Sequence, residues 1–294
     1  MNGWWLAVTP AARPGTDLAS RAATALATHG IEHELRVPPS AGAVGDLVSE
    51  GIGLGYTNFA AIGGDGMANL VLNGLMAHDW ASPPTLAILP AGDGGDFIRT
   101  FALPRDFEGA AKHLADEQRY PTDVGIIEGG FGSRYFLNAM NAGVGARSAG
   151  IAARLPAHLG ASRHRIAFWM ALPGFSSARV GVGVDGRSLE GDLLNVVIAN
   201  GQFLGGGLNV APRATVQDGV FDVQLFAGPR SQAPTVMARM VRGAHLTHRA
   251  VRRTKGSAIV LDCPESWPIE ADGEPLGTGP VNVSVLPHAI FFKI

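Results

Sequence analysis

The chain has 294 residues, 46% hydrophobic and 16% charged, with 40 glycines and 19 prolines and one cysteine, Cys263. That composition excludes a disordered or fibrous chain and allows one large or two ordinary domains; the lone cysteine excludes an intramolecular disulfide and a cysteine-cluster metal site. The formal charge of −2 is uneven, because residues 1–125 carry 7 basic and 14 acidic residues and the remainder 16 and 11.

In chain order, "WWLAVTP" reads as a strand and "TDLASRAATALATHG" as a helix capped by Thr16 or Asp17 and stopped at Gly30. "IEHELRV" is a second strand and "AVGDLVSEGIGLG" a second helix. "NFAAIGG" and "PTLAILP" are further strands, each entering a glycine-rich turn, and the helices "MANLVLNGLMAH" and "DFIRTFA" follow them. Alternating strands and helices predict a Rossmann-like parallel α/β domain, whose ligands sit beyond the carboxyl ends of the strands. After about Pro121 the texture becomes strand and turn, as in "ARVGVGVDGRSLEG", "GVFDVQLFAG" and "PIEADGEPL". Two helical stretches, "AGIAARLPAHLGASRHRIAFWMALPGF" and "APTVMARMVRGAHLTHRAVR", interrupt it. That texture predicts an antiparallel β-sandwich. The expected domains are 1–122 and 123–294, with the last residues free to pack back on the first.

Five signatures follow one another: "GGDGMANLVLNGL" (63–75), "LPAGDGGDFIRTFALP" (89–104), "LNAMNAGVGA" (137–146), "NGQFLGGGLNVAPRATVQDGVFDVQLF" (200–226) and "IEADGEPL" (269–276). This succession resembles the diacylglycerol kinase catalytic family, which includes bacterial soluble lipid kinases and sphingosine kinases. The resemblance implies an ATP- and magnesium-dependent kinase that phosphorylates a hydroxyl of a diacylglycerol-like lipid. It implies a nucleotide site formed by Thr9, Gly63, Gly64, Asp65, Gly66, Met67, Asn69, Gly92, Asp93 and Asp96. Asp218 matches an aspartate that binds a structural Mg2+, with oxygens contributed near Thr215 and Val220. Glu274 matches the general base, with Asp272 beside it as a second catalytic acid. Two acids on one short stretch repel, which can raise one pKa. Taken without the resemblance, Asp-Gly pairs at 185–186, 218–219 and 272–273 are what tight hairpin turns require.

The pattern also departs from the family. Met67 stands where a threonine is usual, Gly92-Asp93-Gly94-Gly95-Asp96 replaces Gly-Thr-x-Asn-Asp, and Leu70 replaces a glutamate. The amino-terminal Asn-Pro is here Thr9-Pro10. A carboxylate about 5 Å from a phosphate charge costs about 3 kcal/mol at an effective dielectric near 20. A divalent cation between Asp65, Asp93 and the phosphates would reverse that sign. The expected partners are a nucleotide and a lipid at a membrane surface, not nucleic acid, with a homodimer left open. The expected location is cytoplasmic and peripheral to a membrane. Alternative readings are a degenerate, non-catalytic lipid-binding relative and a kinase for a soluble hydroxyl compound.

Overall fold

The computed structural model describes residues 3–10, 18–91 and 95–294. The chain divides into two compact units, residues 1–122 with 288–294, and residues 123–287.

The first unit is a parallel α/β domain. Its elements are β1 (Trp4–Val8), α1 (Leu18–Thr28), β2 (His33–Arg36), α2 (Val44–Gly53), β3 (Asn58–Gly63), α3 (Asp65–Met76), β4 (Thr85–Pro90), α4 (Asp96–Arg99) and α5 (Phe107–His113). The strands order β4-β3-β1-β2, all parallel. The chain's last residues add a further parallel strand, pairing Phe291 with Thr85 and Phe292 with Leu86. Because successive side chains of a strand point to opposite faces, nearly continuous apolar strands imply two covered faces. Trp4, Leu6, Val8, Ala60 and Ile62 pack with Leu26 of α1 and Phe107 of α5. On β1 the intervening Trp5 is fully buried, and its Nε1 donates to the Leu47 carbonyl of α2 at 3.0 Å. Phe292 lies edge-on to Phe97 (4.9 Å) and stacked on Phe101 (5.0 Å), which anchors the returning end. Helix α5, absent from the sequence pattern, is a two-turn helix whose Asp106 cap accepts the Gly109 amide at 2.8 Å.

The second unit is the expected antiparallel sandwich. Strand β5 (Arg119–Gly129) begins in the first unit and ends here. It is followed by β6 (Gly132–Phe136), β7 (Ala139–Gly143), α6 (Val144–Ala152), α7 (Ser162–Ala171), β8 (Ala178–Val184) and β9 (Arg187–Ala199). Next come the short β10 (Phe203–Leu204) and β11 (Leu208–Asn209), then β12 (Phe221–Ala227), α8 (Ala233–Met240), β13 (Val251–Gly256) and β14 (Ala258–Asp262). The hairpin β15 (Pro268–Ala271) and β16 (Glu274–Thr278) precedes β17 (Val281–Lys293). The long β9 pairs with β8 through its first half and with β7 and β12 through its second. The β8–β9 hairpin turns on Asp185 and Gly186, both at positive φ, as a two-residue turn requires. Phe136, Met140, Val180, Val196, Phe221 and Ile259 lie in its core. Cys263 is buried there, and burial pushes its thiol up to about 11, which leaves it a small apolar residue.

Gly125 of β5 pairs with Phe136 of β6, whose ring stacks on Phe221 at 5.5 Å. A Cβ at Gly125 would sit 2.2 Å from that ring. Gly125→Ala must displace Phe136 from its stack, so denaturant unfolding is expected to show a loss of about 1–3 kcal/mol.

Candidate active site

In the first unit, both glycine turns lie at the carboxyl ends of their strands. The β1 end is tied to the β3 end by the Thr9 amide, which donates to the Ile62 carbonyl at 2.9 Å. Gly63 ends β3 and Gly64 caps α3, receiving the Met67 amide at 3.0 Å. A Cβ on Gly63 would meet Met67 Cβ at 2.7 Å and Thr9 Cβ at 3.3 Å, so close packing requires glycine there. Met67 is 5% exposed and its thioether turns inward, which explains how an apolar residue is tolerated in this turn. Asn69 is buried and its carbonyl and side-chain oxygen accept from Asn73 Nδ2. Gly66 occupies the first turn of α3.

Asp65 reaches across to the start of α4. Its Oδ2 accepts the amides of Gly95 and Asp96, each at 2.9 Å, and its Oδ1 accepts the Phe97 amide at 3.3 Å. These are the first N–H groups of α4, which otherwise lack partners within the helix. The anion drawn to this glycine-freed helix start is therefore the protein's own carboxylate. Asp65 thus gives three of its acceptances to backbone donors. Asp96 forms an ion pair with Arg99 at 3.3 Å. Gly92 and Asp93 lie outside the described residues.

In the second unit, three acids fall within five residues and are divided by environment. Asp272 and Gly273 form the β15–β16 turn at φ 49° and 85°. Asp272 accepts the amides of Leu137 (2.7 Å), Asn138 (2.9 Å) and Ala139 (3.1 Å), and its own amide donates to the Ala139 carbonyl. It is thus a clamp between the turn and the start of β7. Asn200 braces the same segment, donating to the carbonyls of Asp123 and Leu137 at 2.8 Å each. Glu274 is exposed. The acid with the raised pKa is Glu270, which no sequence motif marks as catalytic. Burial pushes it up to about 8; the Asn141 and Gly273 hydrogen bonds oppose that rise, and the charges of Asp272 and Glu274 add to it.

Asp218 lies in the loop before β12, where its Oδ2 pairs with Lys255 Nζ at 2.6 Å. Gly219 donates to Asp123 Oδ2 at 2.8 Å, and Asp123 donates its amide to the Val216 carbonyl, so Asp123 holds the Thr215–Val220 loop at two points. Among the described residues no three His, Cys, Asp or Glu side chains are grouped to hold a metal ion.

If the Asp65 clamp fixes the start of α4, Asp65→Ala should lower stability by about 1.5–3 kcal/mol in denaturant titrations, with Asp65→Asn closer to the parent. An unchanged midpoint for Asp65→Ala would show that water serves those amides equally well.

Comparison with known proteins supplies the lineage. Residues 10–127 match the diacylglycerol kinase catalytic domain, and residues 138–292 match the YegS C-terminal NAD kinase beta sandwich-like domain. A diacylglycerol kinase of Bacillus subtilis is 27% identical over 73% of this chain and 70% of its own. A Pseudomonas aeruginosa protein named "Probable lipid kinase YegS-like" is 28% identical over 89% and 84%. A solved diacylglycerol kinase structure from Bacillus anthracis shares the fold, with a TM-score of 0.75 at 21% identity over 99% of this chain and 96% of that one. The chain belongs to the diacylglycerol kinase family of lipid kinases.

Proposed function

We propose that this protein transfers the γ-phosphoryl group of ATP, with Mg2+, to the hydroxyl of a diacylglycerol-like lipid. The observation that carries the reading is the division of labour at the β15–β16 turn. Glu270 is buried and Asp272 is held by three amides, while Glu274 is presented to solvent on a turn fixed from two sides. A carboxylate so placed suits the removal of an alcohol's proton during phosphoryl transfer.

The nucleotide is assigned to the first unit. The first turn of α3 presents the amides of Asp65 and Gly66, and the Gly63–Met67 turn is packed against Thr9. Phosphate at a helix N-terminus is favoured by those donors and by the helix dipole. Asp65 contributes there by holding the neighbouring loop rather than by touching the donor.

The structural Mg2+ site is assigned to Asp218 with the carbonyls of Thr215 and Val220. An all-oxygen donor set fits a hard cation, and Lys255 neutralises one carboxylate oxygen beside it. When bound there, the ion would brace the loop. A lipid-binding relative without transfer is the competing reading, supported by the apolar Met67 in place of a hydroxyl donor.

The lipid surface is assigned to α7. Trp169 and Met170 are 44% and 55% exposed and Ile166 is 40% exposed, while Ala167 and Ala171 face inward. Residues 129–184 contain six arginines and no Asp or Glu. Arg179 pairs with Glu190 at 2.5 Å; aromatic and apolar side chains among the other arginines suit an anionic bilayer interface. Helix α7 packs on α6, which packs on β15 and β16, so this face lies one helix from the Glu274 hairpin. Among the described residues no helix is long and apolar enough to cross a membrane.

Phosphate transfer from labelled ATP to diacylglycerol in mixed vesicles is expected to need Mg2+, and Glu274→Gln is expected to lower turnover about 10²–10⁴-fold with little change in melting temperature. Full activity in Glu274→Gln would remove the base assignment.

Flotation should recover the protein with phosphatidylglycerol vesicles and not with phosphatidylcholine, with release as salt rises. Replacing both Trp169 and Met170 by Ser should weaken that binding about tenfold or more, since partial burial of each side chain is worth about 1 kcal/mol.

A further inference from the structure

Glu270 is 4% exposed in the strand that leads into the turn, and its two oxygens have separate partners. Oε2 accepts the Gly273 amide at 2.8 Å, and Oε1 accepts Asn141 Nδ2 from the paired position on β7. The chain of bonds continues inward. Asn195 Nδ2 of β9 donates to Asn141 Oδ1 at 3.1 Å, and the Gly145 amide at the start of α6 donates to Asn195 Oδ1 at 2.8 Å. A Cβ at Gly145 would lie 2.7 Å from Asn141 Oδ1 and 2.9 Å from Asn195 Oδ1, so the two amides fill the space a side chain would need.

The direction of this relay is determined by its ends. Gly145 and Gly273 are backbone N–H groups and can only donate. Between them, each asparagine accepts on one side and donates on the other, so both ends point at Glu270. Flipping the asparagines would turn an NH2 against the Gly145 N–H. The group at position 270 must therefore accept on both oxygens, which a carboxylate does and a glutamine cannot.

We propose that Glu270 is a positioning residue for Glu274, locking the Asp272–Gly273 turn through the Gly273 amide and tying it to β7, β9 and α6 through Asn141 and Asn195. The role rests on the assignment of Glu274 as base. The charged groups facing Glu270 are Asp272 and Glu274 on its own hairpin. Strand β7 presents Asn141 and no charge, and the one charged residue of α6, Arg147, donates to the Gly174 carbonyl at 2.6 Å. With the Glu270 carboxyl raised to about 8, ionisation above that pH completes both acceptances. It also sets a negative charge near Glu274, which strengthens that residue as a proton acceptor.

The test compares wild type, Glu270→Gln and Glu274→Gln by turnover from pH 6.5 to 9.5 and by hydrogen exchange of the Gly273 amide. Wild-type kcat is expected to rise through an inflection near 8. Glu270→Gln should lose that inflection and lower kcat about tenfold or more, with KM for ATP unchanged. Gly273 protection should rise in wild type across the same pH window, a measurement that needs no variant to fold, and should fall about tenfold in Glu270→Gln. A Glu270→Gln protein with a lowered melting temperature but wild-type kcat and pH profile would overturn the proposal, as would wild-type Gly273 protection that is flat with pH. If Gly273 protection behaves as expected while Glu274→Gln stays fully active, the base assignment fails and the proposal, which rests on it, is overturned with it, although Glu270 still holds the turn.

Discussion

A carboxylate that takes three successive backbone amides recurs in this molecule, and the candidate residues of each unit depend on one. Asp65 receives Gly95, Asp96 and Phe97; Asp272 receives Leu137, Asn138 and Ala139. Consecutive N–H groups that converge form a concave anion site, and bonds from them to an ionised acceptor are stronger than neutral ones. In each case the anion comes from a distant part of the chain, so the bond also closes a long loop. Asp185 repeats the device on a smaller scale, accepting the Ser257 and Ala258 amides and the Ser257 hydroxyl, and the Ala258 amide leads the causes that hold its carboxyl below the ordinary value.

The consequence for chemistry is that proximity in sequence does not assign a role. Glu270, Asp272 and Glu274 lie on one hairpin, yet one is buried under opposed donors, one clamps a neighbouring strand and one meets solvent. The same separation holds in the first unit, where the acid of the glycine turn holds the first amides of α4. Acids that organise backbone leave the remaining exposed acid in a defined direction, which is the condition for a general base on a short turn.

Much of the fold was legible because it rests on local periodicity. Strand–helix alternation predicted the parallel α/β domain, and the Asp185–Gly186 and Asp272–Gly273 pairs marked two-residue turns at positive φ. Helix α5 was missed because seven residues carry too few turns for a clear apolar stripe, although Asp106 and Glu108 were a readable start signal. The backbone clamps made by Asp65 and Asp272 were not legible, since their nearest donors lie 30 and 133 residues away along the chain. Glu270 was hidden for another reason. A charged residue between Ile269 and Ala271 reads as the solvent face of a strand, whereas β15 is sandwiched between β7 and β16 and covered by α6.

That burial runs against stability. A carboxyl whose folded pKa is about 8 against an ordinary 4.5 binds its proton more tightly when folded, so its contribution favours the fold below pH 4.5 and is lost as pH climbs to 8. At the pH where Glu270 becomes the better double acceptor, it also weakens the native state most. An apolar residue of similar size would avoid that loss but would leave Gly273 N–H and Asn141 Nδ2 without acceptors. A strained local choice kept beside an exposed acid is the pattern expected where a fold gives up stability for geometry at a working site. The β15–β16 hairpin is the part of this sandwich where that choice is made.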